Sequence, residues 1–272
     1  MTDRGELQGD FRGRWALVTG ASAGIGVALA RELAGRGAKL ILTARRRERL
    51  EALAAELTAR GTEVRIVIAD LMDPAAPRAI FDATEGAGIA VDVLVNNAGL
   101  GQYGYMHSSN VEQELGQIRV NCEAAVALAR LFVEKMVERR RGWVMMLAST
   151  ASFQPVPFLT TYAATKVFDR YFALGLAEEV APFGVRVTAL CPGATESEFF
   201  DIAGASKFRT RNIQSAEEVA QRGIDALARG QRTIVPNFIG TATAFAVRFL
   251  PVALITWGVA LAARPKDKGN RE

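Results

Sequence analysis

The chain has 272 residues, 50% hydrophobic and 23% charged, a composition that excludes disordered and fibrous classes and suits one globular domain. Its formal net charge is +4 and its pI about 9.3, but the cations are scattered; without a contiguous basic stripe or a nucleic-acid motif, nucleic-acid binding is not expected. Two cysteines, Cys122 and Cys191, and a single histidine, His107, exclude a Cys/His metal cluster by count and suit a reducing compartment.

Residues 1–13 are polar and lack the apolar core of a signal peptide, so they read as an N-terminal arm and a cytoplasmic location is expected. The apolar run Trp15 to Val18 predicts a first strand, ending at Thr19-Gly20, and an Ala/Leu-rich helix then runs to about Arg36. Lys39 to Thr43 predicts a second strand, Arg46 to Arg60 a charged helix, and Val64 to Ala69 a third strand. A helix over residues 75–84, a fourth strand over Val91 to Val95 and one long helix over Val111 to Arg140 follow. Arg139 to Arg141 read as a solvated helix end, where cations complement the dipole. Strand Trp143 to Leu147, helix Thr161 to Val180 and strand Val185 to Leu190 complete the pattern. Continuous apolar strands alternating with helices predict an α/β fold: a doubly wound parallel sheet with helices on both faces, one domain over 14–237. Ligands of such a sheet bind beyond the carboxyl ends of its strands.

The extension 238–272 differs in character. Phe238 to Ala263 is strongly apolar, but Arg248 and Pro251 divide it, so a transmembrane span of roughly 20 apolar residues is not expected. A pair of short helices packed on the body or on a partner subunit, a peripheral membrane foot and an acyl-substrate lid are all compatible with it. Arg264, Lys266 and Lys268 suit a membrane surface and equally a solvated basic tail.

The turn after the first strand reads Thr19-Gly20-Ala21-Ser22-Ala23-Gly24-Ile25-Gly26. Glycines there let the backbone approach a pyrophosphate, which free N–H groups at a helix N-terminus attract. Gly20, Ser22, Ala23, Gly24, Ile25 and Gly26 are therefore candidate cofactor contacts, although the spacing alone also fits a tight structural turn. NAD-selective sites place an acid at the end of the second strand to hold the ribose hydroxyl. Here Ala44 is followed by Arg45 and Arg46, cations able to bind a 2′-phosphate, so NADP(H) is expected in preference to NAD(H). Cations in a first helical turn oppose the dipole, a local conflict that points to a functional role. Asp70-Leu71 and Asn97-Ala98-Gly99, at the ends of the third and fourth strands, can wall an adenine and ribose.

Tyr162 and Lys166 lie four residues apart on a predicted helix and share a face. A tyrosine's ordinary pKa of about 10 is too high for proton exchange near neutrality, and a nearby ammonium lowers it. Ser149, at the end of the preceding strand, is placed to hydrogen-bond a substrate oxygen. A bare Tyr-x-x-x-Lys pair is usually structural; here it stands in a longer series. Thr19-Gly20-x-x-x-Gly24-x-Gly26, Asn96-Asn97-Ala98-Gly99, Asn121, Ser149, Tyr162-x-x-x-Lys166 and Pro192-Gly193 occur in order, with the Ser-to-Tyr interval of thirteen residues and the Tyr-to-Lys interval of four. Together they strongly resemble the short-chain dehydrogenase/reductase family, from about Arg14 to Val235.

The resemblance implies a Rossmann-like fold and an oxidoreductase acting on a small carbonyl or alcohol substrate. It makes Tyr162 the general acid/base, Lys166 the group that lowers its pKa and binds the nicotinamide ribose, Ser149 the residue that orients the carbonyl, and Asn121 the holder of a proton-relay water. It brings Asn97, Ala98, Gly99, Pro192, Gly193 and Thr195 to the cofactor, and Arg45 matches the basic residue of NADP-preferring members. Ser197 stands where the family often has Thr. It also implies a homodimer or homotetramer through the helix from Val111 and the Tyr162 helix, with Phe168 and Phe172 as apolar anchors or core residues. The substrate pocket is expected from Leu100 to Ser109 and Glu196 to Arg211, with Tyr103, Tyr105, Met106, Phe199 and Phe200 making it apolar. Two other readings remain: a catalytically silent NADP(H)-binding module, and a membrane-associated reductase of lipid-like ketones. His107 reads as an exposed loop residue or a substrate contact, and Cys122 and Cys191 as small buried hydrophobes.

Overall fold

The apolar runs assemble into one parallel sheet of seven strands in the computed structural model, which describes residues 11–205 and 213–265. In chain order the first half comprises β1 (Trp15–Thr19), α1 (Gly24–Gly35), β2 (Lys39–Ala44), α2 (Arg47–Ala59), β3 (Val64–Ile68), α3 (Ala76–Asp82) and β4 (Val91–Asn96). The second half comprises α4 (Val111–Ile118), α5 (Ala124–Glu138), β5 (Gly142–Leu147), α6 (Thr160–Val180), β6 (Val185–Leu190), α7 (Phe199–Ile202), α8 (Ala216–Ala228) and β7 (Thr233–Ile234). The extension supplies α9 (Phe238–Ala246) and α10 (Val252–Ala263). Strand order is β3-β2-β1-β4-β5-β6-β7, so the winding reverses between β1 and β4 and opens a crevice at their carboxyl ends.

Side-chain alternation explains why these strands are apolar without a break. Ala16, Val18, Leu40, Leu42, Val93, Val95 and Met145 enter one core with α1, α2 and α8. Leu17, Ile41, Leu94, Val144 and Met146 enter the other with α5 and α6. Both faces of the central strands β1, β2, β4 and β5 are thus covered and need no polar stripe, whereas the edge strand β3 leaves Arg65 and Ile68 exposed.

Four features depart from the sequence reading. The predicted long helix from Val111 to Arg140 is interrupted by a π-helical turn over Arg119–Glu123. The inserted residue moves the buried face by one position, but the run Ala124 to Ala129 that follows is apolar on every side, so the pattern could not show it; such bulges occur often at functional sites. Helix α8 is absent from the sequence reading, although Ser215 followed by Glu218 marks its start and Ser215 Oγ accepts from Glu218 N at 3.1 Å. Strand β7 is absent too, its two residues being too few to leave a pattern. Cys191 is fully buried, but Cys122 is only half-buried. Burial pushes both thiols up to about 11, which leaves them poor nucleophiles. Of the predicted N-terminal arm, residues 1–10 lie outside the described residues, and Phe11 is fully buried against Trp143 at 5.5 Å between ring centroids. Among the described residues no helix is long and apolar enough to cross a membrane.

Candidate active site

The crevice between β1 and β4 is held by a buried lock. Thr19 Oγ1 accepts hydrogen bonds from Asn97 N and Ala98 N, both at 2.9 Å, and donates to Val95 O at 3.2 Å. The Asn97 side chain answers by donating from Nδ2 to Thr19 O at 2.7 Å. Asn97 thus fixes the first strand end rather than facing a ligand with its amide alone. Glycine is required beside it at two points. Gly20 takes a positive φ of 65°, and a Cβ on Gly26 would stand 2.3 Å from Gly20 O. The close passage of helix α1 over the turn depends on that missing carbon.

A cleft of about 570 Å³ opens from this turn across the strand ends. Gly20, Ser22, Ala23, Gly24, Ile25, Gly26, Arg45, Arg46, Asp70, Leu71, Asn97, Ala98, Gly99, Ser149, Tyr162, Lys166, Pro192, Gly193 and Thr195 all line it. Asn121 does not. It is 1% exposed and sits behind the wall, where Oδ1 accepts from Leu100 N at 2.8 Å. Its Nδ2 donates to Leu100 O at 2.9 Å and to Thr165 Oγ1 at 2.8 Å. The π-helical turn carries Asn121, and with both N–H donors committed its side chain ties β4's following loop to α6.

Tyr162 and Lys166 share the inner face of α6, as their spacing predicts. Lys166 is 3% exposed; Nζ donates to Leu147 O at 2.6 Å and to Asp169 Oδ2 at 2.9 Å. An ammonium has three donors, so one remains for the cleft. Burial alone pushes the Lys166 pKa down, yet the Asp169 carboxylate and Tyr162 outweigh it and hold the amine charged. Tyr162 is half-buried. Its phenol is pushed up, chiefly by burial, while the Lys166 charge and a hydrogen bond with Ser149 pull it down and Asp169 adds to the rise. The expected lowering by Lys166 is therefore present but does not win in the protein alone. Ser149 Oγ is fixed by accepting from Ala151 N at 3.1 Å and donates only a long bond to Pro192 O at 3.4 Å.

At the other end of the cleft, Arg46 donates to Ser22 Oγ at 3.2 Å and pairs with Glu198 at 2.8 Å. Glu198 also holds Arg49 at 2.5 Å, and the two guanidinium groups keep its carboxyl below its ordinary pKa. Arg45 lies 3.9 Å from Asp70 at the open rim. The glycine cradle fits a dinucleotide, and β2 ends at Ala44 with the guanidinium groups of Arg45 and Arg46 beside it, near Asp70 and Glu198.

The substrate-pocket expectation needs correction in part. Phe199 and Phe200 line the cleft, with the Phe199 ring 5.0 Å from that of Tyr162. Tyr103, Tyr105 and Met106 do not line it: Tyr103 donates to Ala263 O at 2.8 Å, Tyr105 packs edge-on against Phe158, and Met106 faces solvent. Residues 206–211 of the expected pocket segment lie outside the described residues. His107 is exposed on a short helical turn beside Tyr105. Asp169, Glu198, Arg49 and Val259 were missed by sequence reasoning. Only Asp169 left a trace, as the residue one helical turn beyond Lys166.

Comparison with known proteins fixes the lineage. A sequence profile described as short chain dehydrogenase matches residues 14–207. The chain belongs to the short-chain dehydrogenase/reductase family. It is 34% identical over 225 residues to hydroxysteroid dehydrogenase-like protein 1 of Gallus gallus, covering 81% of this chain and 67% of that protein. It is 35% identical over 188 residues to a very-long-chain 3-oxoacyl-CoA reductase of Anas platyrhynchos, covering 66% of this chain and 59% of the relative. A short-chain dehydrogenase from Sphingobium yanoikuyae, solved in complex with NADPH, superposes with a TM-score of 0.79 at 30% identity, over 95% of this chain and 99% of that one.

The Lys166–Asp169 pair yields a prediction independent of turnover. Asp169→Ala strands a buried ammonium and lowers the unfolding free energy by about 3–5 kcal/mol, whereas Lys166→Met combined with Asp169→Leu restores most of it. Denaturant unfolding checks this; a single-variant loss under about 1 kcal/mol, the level of a solvated ion pair, would contradict it.

Proposed function

We propose that this member of the family is an NADP(H)-dependent oxidoreductase that interconverts a carbonyl and an alcohol, with Tyr162 as general acid/base. The observation that carries this reading is the convergence of Tyr162, Ser149 and Lys166 with the glycine turn in one cleft. A bound nicotinamide cofactor supplies or takes up the hydride. In reduction Tyr162 gives its hydroxyl proton to the carbonyl oxygen, and the Lys166 charge stabilises the phenolate left behind. Ser149, whose present bond to Pro192 is long, turns its hydroxyl to the same oxygen. In oxidation the phenolate takes the proton back. Asn121 positions Leu100 and Thr165 around these groups; a relay water at this place would need its remaining Oδ1 lone pair or the main chain.

Gly20, Gly24 and Gly26 with Ser22 form the phosphate cradle. Arg45 and Arg46 favour NADP(H) over NAD(H), with Arg46 exchanging Glu198 for the 2′-phosphate. The apolar wall made by Leu100, Val156, Leu159, Phe199, Phe200 and Val259 supports an apolar carbonyl compound, in keeping with the names of the avian relatives. Intact Tyr162, Lys166 and Ser149 in one cleft disfavour a catalytically silent module. Two free thiols support work in the reducing cytoplasm. The exposed Val111, Leu115 and Ile118 of α4 and Phe168 and Tyr171 of α6 support a homodimer or homotetramer through those helices.

Tyr162→Phe is expected to lower the rate of NADPH oxidation with ketones by roughly 100- to 10,000-fold while NADPH affinity, read by fluorescence titration, stays the same. The wild-type pH profile carries a sign. Burial holds the phenol protonated at neutral pH, so reduction falls as pH rises through its pKa and alcohol oxidation rises. Full activity in the variant, or oxidation that weakens with rising pH, would contradict the assignment.

Removing both cations, Arg45→Ala with Arg46→Ala, should weaken NADPH about 10- to 100-fold, the worth of one or two charge-assisted bonds. NADH binding should change little. An equal loss for both cofactors would show that the arginines do not select the phosphate.

A further inference from the structure

We propose that α9 and α10 form a foot that seats the protein in the plane of an anionic lipid surface, beside the mouth of the cleft. The twelve residues of α10, Val252–Ala263, include no charged side chain. Its inner face does the work of a cover. Val259 lines the cleft, Ala263 is fully buried, and the Ala263 carbonyl is pinned by the Tyr103 hydroxyl. A cover needs one apolar stripe, with polar residues on the opposite side. Here the opposite stripe is apolar as well: Leu254, Trp257 and Leu261 recur at helical spacing and are each more than half exposed, Trp257 at 65%.

The stripe continues into the preceding turn. Phe249 is 72% exposed and packs edge-on against Phe245, itself 61% exposed, at 5.1 Å between ring centroids. Leu250 follows at 53%. Contiguous exposed apolar surface of this kind marks an interaction site rather than ordinary surface. The helices are too short to span a bilayer, since twelve residues rise only about 18 Å against a hydrocarbon core of about 30 Å. They are suited to lying within its interface.

Charge names the occupant. Between Phe238 and Pro265 the sequence has no Asp or Glu, and its two charged residues are Arg248 and Arg264, both exposed. A second copy of this face would bring like charges together, whereas anionic headgroups complement them. The position matters too. Ile202 is 66% exposed and lines the same cleft as Val259, so the rim of the cleft is shared by α7 and α10. Resting on the reductase reading, this placement makes the natural substrate an apolar ketone that partitions into the bilayer.

The test uses the full chain and vesicles of phosphatidylcholine with or without phosphatidylglycerol. Co-sedimentation with the anionic vesicles is expected, with a blue shift of the tryptophan emission. Leu254→Ser with Trp257→Ser changes only exposed positions, and should weaken partitioning about tenfold or more. Arg248→Glu should remove the preference for anionic vesicles. NADPH affinity is measured on every variant and should be unchanged, which separates a failed foot from a failed cofactor site. Vesicles should raise NADPH oxidation with a long-chain ketone and leave it unaltered with a short water-soluble one. A wild-type protein that stays in the supernatant with both vesicles overturns the proposal. So does a double variant that partitions as wild type, or one that turns a lipid-free oligomer into a monomer, which would assign the face to a second copy.

Discussion

Everything in the cleft depends on the lock between Thr19 and Asn97. A parallel sheet that reverses its winding leaves two neighbouring strands, β1 and β4, whose following segments diverge, with backbone groups to satisfy where they part. Thr19 Oγ1 satisfies two main-chain N–H groups at once, and the Asn97 amide satisfies the Thr19 carbonyl. The two bonds between Thr19 and Asn97 are buried, where an unmade partner is expensive. They fix the height of the glycine turn over the strand ends, and thereby the place where helix α1 begins. Gly26 then allows that helix to pass within a distance no side chain tolerates.

The other half of the cleft is governed by a charge placed out of water. Lys166 is enclosed almost completely, and its ammonium persists because Asp169 and the Leu147 carbonyl compensate its lost hydration. Asp169 has a second consequence. Its carboxylate counteracts part of the pull that Lys166 exerts on the Tyr162 phenol. The protein therefore holds a neutral phenol beside a fixed cation. On the proposed reading this is a resting state suited to giving a proton to a carbonyl oxygen, and one in which a further positive charge in the cleft would favour the phenolate.

Much of this was legible in the sequence, and the reason is physical. The strands were visible because both of their faces are buried, which leaves runs such as Ala16-Leu17-Val18 with no polar interruption. The glycine turn and the Tyr–Lys pair were visible because each needs particular residue types at fixed spacing. What stayed hidden depends on contacts between distant segments. Glu198 meets Arg46 and Arg49 from across the cleft, and nothing in its neighbourhood along the chain announces that. The π-helical turn at Asn121 shifts the buried face by one position, but Ala124 to Ala129 are apolar on every side, so the sequence carries no mark of the shift. Tyr103 looked like a pocket residue because aromatic loops often line pockets, but its hydroxyl serves as a clasp for α10. The apolar extension was legible as two short pieces, since Arg248 and Pro251 divide it, but only the structure distinguishes the face that covers the cleft from the one that meets solvent.

On the proposed reading, the fold, the cradle and the buried cation serve one chemical act, the passage of hydride to a carbonyl carbon. The most direct test is turnover with NADPH bearing deuterium at the transferring position of its nicotinamide ring, followed by mass spectrometry of the alcohol product. The account predicts one deuterium on the carbinol carbon and none exchanged into water. An unlabelled alcohol formed during turnover, with the label retained in the cofactor or lost to solvent, would contradict it.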